Sequence, residues 1–168
     1  MVSESANARS EKQLDRVLGF FPRVEAKASF LFAVNTGMLG FVALNMRKED
    51  FEHWYVIALA LAFLALAVAS IVYVYRCVFP HLVGDDNSMI YFRSIAKQSA
   101  KEFGERFTSR TDIDHVNDVT EQIWRNSTIL REKFDFLKCA FMLTMLSIVP
   151  WVATMAAAAQ LRSTWPLK

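Results

Sequence analysis

WYVIALALAFLALAVASIVYVY, residues 54–75, runs for 22 residues without one Asp, Glu, Lys, Arg or His. Trp54 and Tyr55 stand at one end, Tyr73 and Tyr75 at the other. A helix needs about 20 such residues to cross about 30 Å of hydrocarbon, and amphipathic rings gather at both water interfaces. The stretch therefore reads as a membrane span. Two more uncharged runs lie on either side of it, Ala28–Met46 with 19 residues and Cys139–Leu161 with 23. The resulting fold class is an all-α membrane protein, with three transmembrane helices and a helical cytosolic insert between the second and the third.

Working outward, the loop Arg47–His53 is so short that residues 28–46 and 54–75 form a transmembrane hairpin over 28–75. The 76–138 segment gathers most of the charge and has room for two or three helices. Residues 139–161 make the third span and 162–168 a short periplasmic tail. Residues 1–27 form a cytosolic N-terminal segment. Its first eight residues are small and polar and read as disordered. Leu14, Val17, Leu18 and Phe21 then recur at helical spacing in an amphipathic helix over Arg9–Phe21. Pro22 ends that helix and starts the next, where proline is tolerated. About 27 polar and charged residues before the first apolar run do not match a signal peptide, so that run is expected to stay as an anchor.

Within 76–138, Pro80–Ser88 is punctuation and Asn87 or Ser88 is a candidate helix cap. A helix is predicted from there to about Phe107, with Met89, Phe92, Ala96, Ser99, Phe103 and Phe107 as its stripe. Thr108–Thr111 breaks the pattern, and Thr111 is placed to cap the next helix, with Asp112 and Asp114 in the first turn. Ile113, Val116, Thr120, Ile123, Ser127, Leu130, Phe134, Leu137 and Phe141 then alternate spacings of three and four. No Gly or Pro interrupts them, so one long helix is predicted to run into the third span. The stripe packs either on the preceding helix or in an oligomer.

Lys and Arg near the spans orient the chain. Lys12, Arg16, Arg23, Lys27, Arg76, Arg125, Arg131, Lys133 and Lys138 fall on the side of the N-terminus and the insert; Arg47, Lys48, Arg162 and Lys168 fall on the other. The N-terminus and the insert are therefore expected in the cytoplasm.

Several chemistries have no support. The glycines never cluster as a phosphate loop, and no Ser/His/Asp or Cys/His set is spaced for nucleophilic catalysis. Cys77 and Cys139 with His53, His81 and His115 give no metal-ligand spacing. A net charge of +2 does not argue for nucleic-acid binding. No catalysis, metal or cofactor is expected.

Four residues stand out in or beside the spans as gate or packing positions. Glu25 and Lys27 guard the start of the first span. Asn35 is a polar side chain in its middle, which must find a partner helix or line a pore. Pro150 sits inside the third span, removes the backbone bond to the Leu146 carbonyl and should kink the helix. Small residues Ala33, Gly37, Gly40 and Ala43, and Ala58, Ala62, Ala65 and Ala69 on the second span, would allow close helix approach.

RVEAKASFLFAVNTGMLGF (Arg23–Phe41) resembles the start of a family of small bacterial membrane proteins with a charged Asp/Glu-x-Lys-Ala-Ser approach to the first span and an Asn within it. EQIWRNSTILREKFDFLKCAF (Glu121–Phe141) is similar to the family's helix running into the last span. The family is that of the Pycsar transmembrane effectors of antiphage defence. The resemblance implies a multi-pass protein of the bacterial inner membrane and a nucleotide cyclase as functional partner. It implies activation by a cyclic pyrimidine mononucleotide, cUMP or cCMP, and membrane impairment leading to abortive infection. It assigns no nucleotide-binding residue. Arg93, Lys97, Arg125 and Lys133 are the expected phosphate contacts, against the plainer reading of salt-bridged, solvated faces. Tyr91, Phe92 and Trp124 either stack on a base or belong to a core. A homo-oligomer is expected, because two stripes make a thin core. The alternative function is a scaffolding membrane protein that docks a cytosolic protein partner.

Overall fold

The computed structural model describes residues 4–79 and 88–164. The punctuation at Pro80–Asn87, with the possible Asn87 cap, lies outside the described residues. Among the described residues every regular element is helical and there is no strand. The helices are α1 (Glu4–Leu18), α2 (Phe21–Asn45), α3 (Trp54–Val78), α4 (Phe92–Ala96), α5 (Ala100–Ser109) and α6 (Asp112–Thr164), with a 3-10 turn at Lys48–Glu52. Three of them, α2, α3 and α6, contain stretches long and apolar enough to cross a membrane.

The local chemistry explains the boundaries. Helix α1 begins at Glu4, so residues 4–8 are helical rather than disordered. It closes where the Gly19 and Phe20 amides donate to the carbonyls of Asp15 (2.9 Å) and Val17 (3.1 Å). Pro22 then occupies the second position of α2, where its missing N–H costs nothing. The single helix expected from Ser88 to Phe107 is instead divided into α4 and α5. Ser99 is the reason: its Oγ accepts from the Glu102 amide (3.2 Å) while Glu102 accepts from the Ser99 amide (2.9 Å). This Ser-x-x-Glu capping box starts a new helix. Thr111 caps α6 in the same way, accepting from the Asp114 amide at 3.3 Å. Helix α6 then runs unbroken for 53 residues, about 80 Å at 1.5 Å per residue, and Pro150 does not interrupt it.

The chain forms two compact units, one of Met1–Arg23 with Pro80–Glu132, the other of Val24–Phe79 with Lys133–Lys168. Helix α6 contributes to both. In the second unit the buried positions are Val24, Ala28, Leu31 and Asn35 on α2, and Val56, Phe63, Ala67, Ser70, Val74 and Cys77 on α3. Lys133, Leu137, Ala140, Thr144 and Ser147 supply the α6 side. Each set repeats at three, four or seven residues, the signature of left-handed helix packing.

This seam is small and partly polar, and it is not the one the sequence patterns mark. Ala33, Gly37, Gly40 and Ala43 face outward, as do Ala58, Ala62 and Ala65. A Cβ added at Gly37 or Gly40 would meet nothing within 4 Å. The stripe from Ile113 to Phe141 is likewise mostly outside, with Ile113, Phe134 and Phe141 exposed. In the first unit Leu14, Val17, Met89 and Val119 form the apolar core, while Phe92 and Phe107 of the expected α4–α5 stripe are exposed.

Candidate functional site

In the first unit, a buried carboxylate fixes the turn before α4. Asp118 on α6 accepts from the Ser88 hydroxyl (2.7 Å), the Met89 amide (2.9 Å) and the Arg110 guanidinium (2.8 Å). The Ser88 oxygen accepts in turn from the Tyr91 amide (3.0 Å) and from Gln122 Nε2 (3.0 Å). Ser88 thus caps the 88–91 turn rather than a helix. Every member of this network has a partner, as buried polar groups require. The result is a rigid placement of Tyr91 and Phe92 beside α6.

A cleft of about 370 Å³ opens next to that turn. Leu14, Leu18, Phe21, Ile90 and Ile129 make its apolar walls; Tyr91, Phe92, Gln122, Arg125 and Asn126 complete its lining. The volume is within the roughly 300–1,000 Å³ of small-molecule pockets, and the mixture of apolar wall and few polar groups is what such pockets show. Arg125 holds Glu121 through Nη2 at 3.1 Å, but its Nη1 is buried without a hydrogen-bond partner. The Tyr91 hydroxyl is also buried without one. A buried donor left unmade costs free energy, on the order of 1–3 kcal/mol. An anionic ligand with a planar ring would satisfy both groups.

Arg125 is thus the one of the four expected phosphate contacts that lines the cleft. Arg93 and Lys97 are exposed and do not. Lys133 belongs to the other unit, where its buried ammonium meets Glu25 at 3.1 Å and the Val78 carbonyl at 3.4 Å. Tyr91 and Phe92 line the cleft with their rings 5.1 Å apart, while Trp124 is 70% exposed. Gln122 and Asn126 were not marked by the sequence. They lie three residues before and one after Arg125, and their place in the cleft comes from the Asp118 tether.

Within the second unit, Asn35 is fully buried between the three helices. Its Nδ2 donates to Thr144 Oγ1 (2.9 Å), Ser70 Oγ (3.2 Å) and the Leu31 carbonyl (2.8 Å). Ser70 also donates to the Ala140 carbonyl at 2.9 Å. Asn35 therefore joins one helix to two others. Its Oδ1 remains without a partner. Lys27 lines a separate groove on this unit. Beyond Pro150, the Thr154 hydroxyl donates to the Pro150 carbonyl at 2.7 Å.

At the loop end of the unit, Asp50 accepts from the Arg47 amide (2.8 Å) and from Arg162 (2.9 Å), which also donates to the Asn45 carbonyl. Burial pushes the Asp50 carboxyl up, but the hydrogen bonds from Arg47 and Arg162 outweigh it and hold it below its ordinary value. Among the described residues no cluster of His, Cys, Asp or Glu is arranged to hold a metal ion.

No curated protein and no solved structure matches this chain. The Pycsar effector protein domain matches residues 9–160. That span takes in α2, α3 and most of α6, together with the cleft and the Asn35 seam. The chain, a multi-pass membrane protein, therefore belongs to the Pycsar effector family of antiphage defence.

Proposed function

We propose that this effector is activated by a cyclic pyrimidine mononucleotide, cUMP or cCMP, made by a partner cyclase. Activation impairs the bacterial inner membrane and halts the infected cell. The protein has no catalysis of its own, works as a homo-oligomer and keeps its N-terminus in the cytoplasm. The observation that carries this reading is the cleft beside Tyr91 and Arg125, whose unpartnered Nη1 and hydroxyl match a cyclic phosphate and a ring substituent. Arg125 and the Asn35 partner Thr144 stand on the same uninterrupted helix. A ligand that favours one setting of α6 shifts the population by its differential affinity for the two settings.

Equilibrium dialysis of the detergent-solubilised full chain against cUMP and cCMP tests this. Binding of one of them, weakened at least tenfold in Arg125→Gln and less in Tyr91→Phe, is expected. Folded protein that binds neither nucleotide sinks the reading. Exposed Ile113 and Trp124 on α6 favour a second reading, a scaffold that docks a protein partner. Nucleotide-independent capture of one defined partner, lost in Trp124→Ala, would favour it.

A further inference from the structure

The second unit carries a groove of about 580 Å³ between α2 and α6, distinct from the nucleotide cleft. Its lining is Ala26, Phe30, Leu31, Phe134, Leu137 and Phe141, with Lys27 and Lys138 as the only charged members. None of the eight is acidic. Each lysine directly precedes an uncharged run, Lys27 before Ala28–Met46 and Lys138 before Cys139–Leu161. Both ammonium groups therefore sit at headgroup depth when those runs cross the bilayer. Both side chains are exposed, and among the described residues neither forms an ion pair. Along α6 the wall runs about 10 Å from Phe134 to Phe141, with Lys138 between them and Phe141 on the side of the span.

We propose that this groove binds an anionic glycerophospholipid, its phosphate between Lys27 and Lys138 and an acyl chain against Phe30 and Phe141. An apolar trough with two cations at headgroup depth, and no acid among the described residues of its lining, fits an amphiphile that carries a negative head on a hydrocarbon tail. A basic residue near an anionic leaflet gains attraction wherever it stands. Here two of them converge on one cavity, so the site discriminates between headgroups and does more than draw the protein to the surface.

Native mass spectrometry of the full chain, released from micelles doped with phosphatidylglycerol or phosphatidylcholine, reads this directly. The wild type is expected to retain phosphatidylglycerol roughly tenfold or more over phosphatidylcholine, and each of Lys27→Gln and Lys138→Gln to cut that preference roughly fivefold. The double variant should lose it. Lys48→Gln with Arg76→Gln removes the same charge at membrane boundaries outside the groove and should change nothing. Both groove lysines are exposed, so the helical circular dichroism and melting temperature of these variants should match the wild type. Equal retention of the two lipids by the wild type overturns the assignment. So does an equal loss in the Lys48/Arg76 control, or displacement of phosphatidylglycerol by millimolar inorganic phosphate, which would make the groove a plain anion site.

Discussion

The hydrogen bond between Asn35 and Thr144 should appear as a coupling energy in a double-mutant cycle. Asn35→Ala alone is ambiguous. It removes two interhelical bonds and opens a cavity, yet it also relieves an Oδ1 that has no partner. Thr144→Val keeps the shape and removes the hydroxyl. The cycle cancels whatever the two single changes do separately and leaves the shared term. Interhelical side-chain bonds in membranes average about 0.6 kcal/mol and reach about 1.7 kcal/mol. Both partners are 0% exposed, which pushes the value above that mean. Thr144 keeps Ser70 at 2.8 Å and the Ala140 carbonyl at 2.9 Å after Asn35 is gone, which holds it below the maximum. About 1 kcal/mol is expected, measured by reversible unfolding in mixed micelles with increasing denaturing detergent. A coupling under about 0.3 kcal/mol, the scatter of independent sites, would refute the view that this bond ties α2 to α6.

Arg162→Ala leaves the Asp50 carboxylate buried with only the Arg47 amide, and should cost about 1–3 kcal/mol; the guanidinium is 33% exposed, so the loss is less than for a fully buried pair. Because Asp50 is held below its ordinary pKa, its contribution is present above about pH 4 and disappears as pH falls through the folded value. Asp50→Asn should therefore narrow the difference in melting temperature between pH 7 and pH 3. Ser99→Ala removes the capping box of α5 and should speed hydrogen exchange of its first-turn amides several-fold, with α6 unaffected. Pro150→Ala restores a donor to the Leu146 carbonyl and should slow exchange around it without altering the helix bounds; unchanged nucleotide-driven leakage from liposomes in that variant would rule out a role for the proline in gating.

The three spans, the short hairpin loop and the long α6 were legible because each rests on a one-dimensional signal: an uncharged run, a missing breaker, the Thr111–Asp114 cap. Which face of each span turns inward was not. Hydrocarbon rewards apolar side chains on the outside as well as the inside, so Phe134 and Phe141 mark no core, and the seam falls to Ala140, Thr144 and Ser147. The stripe through Met89 and Phe107 similarly hid the Ser99–Glu102 box, a short local signal that outweighs a sparse periodic one. At the cleft, Arg125, Tyr91 and Phe92 were recognisable by residue type. Lys133 was indistinguishable from them in sequence, although Glu25, more than a hundred positions away, claims it. Gln122 could not be found without knowing that Asp118 draws the Ser88 turn onto α6.

Helix α6 has no joint between Lys133 and Thr144. Such a rod carries rotational phase: each residue added between the two positions turns everything downstream by about 100°, while seven residues restore the setting to within about 20°. With Lys133 held by Glu25, inserting one or two residues there would swing Thr144 away from Asn35. The stretch from Lys133 to Thr144 thereby tolerates substitution far more readily than insertion.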